Sequence, residues 1–404
     1  MTERVAPGFE AVAEEFLNNL HERGELGAAF AVVRDGELIV DLWAGIADPG
    51  PPARAWTEDT LVPIFSGAKG LVAACLLILI DRGELELEAP VAAYWPEFAA
   101  AGKGDLTVRQ VVTHTAGVPG LVTPVAFRDL PDGGRMAALL AAQPRFVDPR
   151  AARTYHLLTY GWLCGELIQR IDGRSVGRFF AEEVAVPLGL ELYIGLPEEL
   201  SPRVARLELA PGWGSARVFD PDVVEHDALL RSVWANPPAW TRESFPWNDE
   251  AIHRAEIPAI GAIGTARAIA RLYAGLDRLI SAPVLRLGRT ALEHRHDPLT
   301  DQPQAFGVGF ELQTESRPLG PPADAFGHTG AGGSVHGAWP AQRIGFSYAM
   351  NLMRDDAGDV RASALLDALA TSAAGRRRLR EGSGPTGGPR RGGPRPRPPA
   401  AWSP

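Results

Sequence analysis

The stretch VPIFSGAKGLVAACLLILIDRG, residues 62–83, places Ser66 three residues before Lys69. Near the start of a helix, positions i and i+3 share a face, so the lysine amine reaches the serine hydroxyl. A serine hydroxyl is a poor nucleophile until a neighbour takes its proton. Lysine can take it only when neutral, and the local sequence favours that state. The helix around it is apolar, the N-terminal end of the helix dipole is positive, and no acid is adjacent. The choice of lysine is itself informative, because Lys69 and Lys103 are the only two lysines among 40 Lys and Arg residues. Arginine does not give up its proton at any workable pH, so a position that keeps an amine is a candidate proton handler. The Ser66 N–H, directed out of the helix N-terminus, can also stabilise a developing oxyanion. The bland alternative is a helix cap followed by a surface lysine.

Two further stretches change the balance. TYHLLTYGWLCGELIQRIDG, residues 154–173, puts Tyr155 just before an apolar helix that stops at Asp172-Gly173. GHTGAGGS, residues 327–334, falls on a predicted strand whose glycines let a backbone or ligand approach closely. In this order the three stretches resemble the serine β-lactamase and penicillin-binding-protein superfamily. Within it they are most similar to class C β-lactamases and the family VIII carboxylesterases. DLWAG, PVAAYWPEFAAAGKGDLTVRQVVTHTAGVPG and GFSYAMNLM agree with the esterase-like members, and the resemblance spans about residues 10–373. It implies Ser66 as nucleophile, Lys69 as its helper and Tyr155 as general base or proton shuttle. His328-Thr329-Gly330 would match the family's K-T-G strand and contact substrate, and the oxyanion hole would be the backbone N–H groups of Ser66 and Ala331. The implied mechanism is acyl transfer through an acyl-enzyme, then attack by water.

Two departures from that pattern matter. Leu157 stands where the family's Y-x-N motif has asparagine, and His328 where K-T-G has lysine. Leucine offers no hydrogen bond and histidine near neutral pH is mostly uncharged, so the substitutions favour ester over β-lactam hydrolysis. Lys69 as base must be neutral, whereas Tyr155 as base gains from a charged Lys69. A pH profile reports the coupled pair.

The remaining chemistry-bearing residues carry less. His114 in THTAG reads as structural. In EHRHDP, residues 293–298, two histidines at i and i+2 diverge on a helix, which argues against a metal site. No metal or cofactor is expected. Trp213, Trp234, Trp240 and Trp247 crowd a Pro-rich segment, either as an aromatic wall for an acyl or aryl group or as a loop held down by its own rings. G-x-S-x-G, the α/β-hydrolase elbow, is absent.

These residues must be positioned by a frame, and the hydrophobic pattern sketches one. Residues 9–24 form an amphipathic helix, and two strands meet at Asp35-Gly36, a hairpin signal. The helix over 66–80 is apolar nearly all round, hence buried. Helices are predicted over 107–114, 134–143, 159–171 and 265–280, the last opening at Thr265. Strand character returns from 306, 325 and 344, before a final helix. The expected fold is α/β (α+β), β-lactamase-like. One antiparallel sheet is built from both chain ends (about 1–84 and 300–374) and flanked by helices, with a mostly helical region, about 85–299, inserted between. The hydrolase domain is expected over 1–374, followed by a disordered Arg/Pro/Gly-rich tail, 375–404.

Charge and composition narrow the function classes. The tail carries eight arginines and one glutamate, net +7, so the chain's −9 leaves −16 on the body. An acidic body argues against nucleic acid as main partner, leaving a tail-borne RNA or anionic-surface contact as a secondary possibility. No stretch reaches the roughly 20 apolar residues of a membrane span, and the N-terminus lacks a signal core. Cys75 and Cys164 lie in apolar patterns and read as buried thiols, which favours the cytoplasm. The expectation is a serine hydrolase acting on small-molecule esters of short to medium acyl length. The rivals are a weak β-lactamase or D-aminoacyl peptidase, an acyltransferase on the same scaffold, and a catalytically silent binding protein. Oligomeric state is left open.

Overall fold

The computed structural model describes residues 2–355 and 358–382. A ten-stranded sheet runs 2–5, 37–48, 27–34, 344–350, 334–339, 326–330, 311–312, 303–306, 293–296, with 54–55 added beside 37–48. Every pairing in it is antiparallel, and the strand Ile344–Met350 joins the N-terminal hairpin to the C-terminal strands. The sheet is thus closed by both ends of the chain, as the pattern predicts. The hairpin turns at Asp35 (φ 54°) and Gly36 (φ 82°), the double positive φ that two-residue hairpins favour. Ile344–Met350 is buried at all seven positions because both faces of the sheet are covered. The helices Glu10–His21 and Arg361–Gly382 pack on each other, and Ala266–Gly275 lies across the central strands. Gly345 permits that crossing: a Cβ there would stand 2.4 Å from the Ala270 carbonyl.

The helix Ala68–Asp81 is buried from Ala68 to Leu79, consistent with its unbroken apolar sequence. Other helices fall near their expected places: Val108–Val112 capped by Thr107, Gly133–Ala142, Thr159–Asp172, and Ala266–Gly275 capped by Thr265. Several boundaries differ. The helix Ala266–Gly275 belongs to the sheet layer and the first C-terminal strand is Glu293–His296, so the sheet part resumes well before residue 300. The expected strand from 306 is interrupted. Phe306 ends one strand, Glu311 begins the next, and Gly309 turns between them at φ 74°. A Cβ on Gly309 would lie 2.3 Å from the Tyr160 hydroxyl, so close packing as well as the turn requires glycine. The last helix runs to Gly382, eight residues into the stretch expected to be disordered, since Arg, Leu and Glu are good helix formers. Residues 383–404 of the expected tail lie outside the described residues. A small sheet of 62–63, 262–264 and 192–194 was not foreseen, its strands being two or three residues long. Among the described residues no helix is long and apolar enough to cross a membrane.

One buried ion pair ties the two chain ends together. Arg361 Nη1 donates to Glu25 Oε2 at 2.6 Å, with both side chains fully buried. The same carboxylate oxygen accepts from the Tyr348 hydroxyl at 2.5 Å, and Arg361 Nη2 donates to the Gly332 carbonyl at 3.0 Å. Arg361→Met would strand the Glu25 carboxylate and should cost about 3–5 kcal/mol, read from urea unfolding. Adding Glu25→Gln should recover part of that loss. A single-variant cost under about 1 kcal/mol would contradict the pair's role.

Candidate active site

Ser66 sits in a tight turn, Phe65–Gly67, that leads directly into the helix Ala68–Asp81. Phe65 adopts φ 46°, a left-handed conformation costly for a bulky residue, at about 1–3 kcal/mol. Its ring is held by Trp240 (centroids 5.8 Å apart) and edge-on by Trp247 (5.9 Å). Below the turn, Gly67 rests on His336, and a Cβ at Gly67 would come 2.6 Å from His336 Cδ2. His336 is in turn fixed by Ser347 Oγ, 2.8 Å from Nδ1. The turn is therefore clamped between an aromatic cluster and the sheet.

Lys69 is fully buried. Its Nζ lies 3.2 Å from Ser66 Oγ and donates to the Ala259 carbonyl at 3.0 Å. Burial pushes its pKa well below the ordinary 10.5, the charges of Cys164 and Glu311 acting in the opposite direction. A neutral amine beside the hydroxyl can accept the serine proton. Lys103, the other lysine, is also buried but donates to three carbonyls, those of Ala100 (2.8 Å), Ala141 (2.9 Å) and Gln143. It ties loops together, which explains the second amine without catalysis.

Tyr155 closes the group. Lys69 Nζ stands 4.8 Å from the Tyr155 ring centroid. Burial drives the phenol pKa well above 10, and the nearby Ser66 hydroxyl draws it partly back. The phenol lies 3.4 Å from His328 Nε2. His328 Nδ1 faces the Thr329 carbonyl at 2.7 Å, and a carbonyl can only accept. Nδ1 therefore carries the proton and Nε2 is left as an acceptor. Burial holds His328 neutral, its pKa pushed down to about 3. Structure thus brings Ser66, Lys69, Tyr155 and His328 together from the first helix of the site, the turn before Thr159–Asp172, and the strand Phe326–Gly330.

Thr329 and Gly330 continue that strand along the cleft, and Ala331 follows at its end. Gly330 packs against the residue before the Ser66 turn: a Cβ there would be 2.4 Å from the Ile64 carbonyl. Among the described residues the backbone N–H groups of Ser66 and Ala331 make no hydrogen bond to another backbone carbonyl. Arg361, through Gly332, anchors the turn that carries Ala331. The cleft has a volume of about 380 Å³ and is open to solvent, and Leu157, Trp234, Trp240 and Phe306 supply its apolar wall. Trp213 and Trp247 are buried behind, donating to the carbonyls of Trp240 (2.7 Å) and Ala239 (2.8 Å). Trp234 and Trp240 thus face the cleft, and Trp213 and Trp247 brace the loop.

Sequence reasoning missed Glu311. Its Oε2 accepts from both Thr329 N and Thr329 Oγ1 at 2.8 Å, and it lines the cleft. A two-residue strand gave no periodic signal that would mark it. Gly161 was missed too. It lets the helix Thr159–Asp172 touch the segment carrying Lys69's acceptor, since a Cβ there would be 2.2 Å from Ala259 N. His114 is packed among Tyr155, Tyr160 and Phe306, its centroid 4.5–4.7 Å from theirs, and its Nδ1 accepts from His156 N at 3.1 Å. It braces Tyr155. The helical argument about His294 and His296 needs correction. They lie on the strand Glu293–His296, where i and i+2 share a face, and both ring Nε2 atoms approach Glu315 (3.9 and 3.6 Å). Among the described residues no three His, Cys, Asp or Glu side chains are grouped to hold a metal ion.

Comparisons with known proteins identify the family and the fold. A family profile described as Beta-lactamase matches residues 9–370. The chain is 33% identical over 377 residues to the esterase/beta-lactamase LipL of Mycobacterium tuberculosis, covering 88% of this chain and 85% of that protein. Among solved structures it is similar to a family VIII carboxylesterase, with a TM-score of 0.82 and 36% identity over 91% of this chain and 98% of that one. A penicillin-binding-protein homologue from Caulobacter crescentus gives 0.81 and 33%, with the same coverage of each chain.

With two lysines in the chain, NMR of selectively labelled lysine yields two amine signals, separable by Lys69→Met. The Lys69 signal should titrate well below the ordinary 10.5 and below that of Lys103. A Lys69 midpoint at or above the ordinary value would remove the neutral amine from the site.

Proposed function

The chain belongs to the beta-lactamase family, and from that premise we propose that it cleaves carboxylic esters of short to medium acyl length through an acyl-enzyme on Ser66. It is a serine hydrolase of the β-lactamase fold; a relative named an esterase and a neighbour named a carboxylesterase support esters as its substrates. The observation that carries the site assignment is the fully buried Lys69 amine 3.2 Å from Ser66 Oγ, its pKa pushed well below the ordinary value by burial.

Ser66 Oγ attacks the acyl carbon while Lys69 takes its proton. The tetrahedral oxyanion is received by the N–H groups of Ser66 and Ala331, both free of backbone partners. Tyr155, held as a protonated phenol by burial, passes a proton to the departing alkoxide and is replenished from Lys69. Water then attacks the acyl-enzyme with the same pair acting in reverse, releasing the acid. A tyrosinate base would require ionising a phenol whose pKa burial has raised, so Lys69 serves as the resting base. His328 accepts from the phenol and, with Thr329 and Gly330, flanks the substrate. Leu157 and neutral His328 offer neither the amide nor the cation that a lactam would use, which favours esters. Cys75 and Cys164, buried and unpaired, fit the cytoplasm as its compartment.

A fluorophosphonate probe should label Ser66, and Ser66→Ala should abolish labelling. Lys69→Arg should lower kcat/KM for p-nitrophenyl esters by about 10³ or more, because guanidinium cannot take the proton. Activity surviving in that variant would refute the role, and a preference for nitrocefin over the ester series would overturn the substrate class. For pH, the active form has neutral Lys69. As pH falls through the depressed Lys69 pKa the amine is protonated and kcat/KM drops, and above it the rate is level. The rising limb should therefore lie well below 10.5. A limb centred near that ordinary value would speak against the amine as base.

A further inference from the structure

We propose that the cleft beside Ser66 selects by charge, admitting esters whose acyl and alcohol parts are uncharged and rejecting those that carry a carboxylate. This rests on the ester-hydrolase reading above and adds to it a substrate class.

Among the described residues lining the cleft there is one carboxylate, Glu311, and no arginine or lysine. Nearby cations are spent elsewhere. Arg317 lies in sequence between the lining residues Ser316 and Pro318, yet its guanidinium is 3.8 Å from Asp367. Arg295 is buried and donates to the carbonyls of Arg153 (2.8 Å) and Thr113 (3.0 Å). Lys69 lies beneath the floor with its amine between Ser66 and Ala259. His328, on the cleft strand, has its Nδ1 proton committed to the Thr329 carbonyl.

Glu311 cannot easily leave, since one of its oxygens holds both polar groups of Thr329 at 2.8 Å. An entering carboxylate would shed water and meet no cation. If Glu311 is ionised, it also repels the newcomer; if protonated, it still supplies no positive charge. Either state disfavours the anion. Uncharged acyl groups lose nothing on entry and gain contact with Leu157, Trp234, Trp240 and Phe306.

The test compares mono-p-nitrophenyl adipate, an anion at neutral pH, with its methyl ester, which has the same leaving group and nearly the same shape. Release of p-nitrophenolate is followed for the full-length protein, with Ser66→Ala as the blank. The neutral ester should give a kcat/KM at least about tenfold higher, the size of one uncompensated charge interaction near a protein surface. Glu311→Gln keeps an acceptor for Thr329 and removes the charge, so the ratio should narrow. Equal rates on the two esters in the unaltered protein would overturn the charge selection while leaving ester hydrolysis standing. No release above the blank from either ester would instead bring down the hydrolase reading, and this inference with it. If Glu311→Gln fails to fold, the ratio in the unaltered protein decides alone. If it folds with the ratio unchanged, repulsion by an ionised Glu311 is refuted and the exclusion rests on the missing cation alone.

Discussion

The burial of the Lys69 amine without a carboxylate partner is the constraint around which this site is organised. An ammonium in that position would forfeit its hydration for one carbonyl and one hydroxyl, a penalty of several kcal/mol that pushes the amine's pKa well below its ordinary value. Three pieces of structure enforce this. The helix Ala68–Asp81 is buried along nearly its whole length. Gly161 allows a second helix to press Ala259 into place, and Tyr155 roofs the amine with its ring. Opening any of them would let water in and relax the pressure that burial puts on the amine's pKa.

The same economy governs Ser66. A left-handed Phe65 is unfavourable by itself, and it persists because Trp240 and Trp247 pin its ring while His336 fills the space under Gly67. The rings that steady the turn also reach the cleft, since Trp240 both contacts Phe65 and lines the substrate wall. Positioning and recognition are therefore coupled through one side chain. On the opposite side, Arg361 links the closure of the chain ends to the Gly332 carbonyl, one residue from the Ala331 N–H. The sheet does more than cover the core: it fixes the strand Phe326–Gly330, which lines the cleft.

Much of this was legible in the residues. An all-apolar helix beginning at Ser66 had to be buried, and a buried lysine one turn from a serine has few uses other than proton transfer. The Asp35-Gly36 hairpin, the Thr265 cap and the sheet closed by both termini followed from local periodicity and turn chemistry. Less visible were features that exist only between distant segments. Glu311 gave no signal because its strand is two residues long, and its partner Thr329 lies 18 positions away. The helical spacing argument for His294 and His296 failed because a short polar stretch has no period to separate strand from helix.

The sequence by itself determined which groups could do chemistry and the alternation of elements that carries them, because side-chain type and periodicity are local properties. It also determined that one amine would be trapped in an apolar helix. Only the tertiary structure decided that Tyr155, 89 positions beyond Ser66, would roof that amine, and that Glu311 would be the lone carboxylate among the described residues lining the cleft. Those outcomes depend on how separately encoded surfaces pack, through glycines such as Gly161 and Gly330 that admit backbone contact. The energy of such contacts belongs to pairs of segments, and no single stretch of residues contains it.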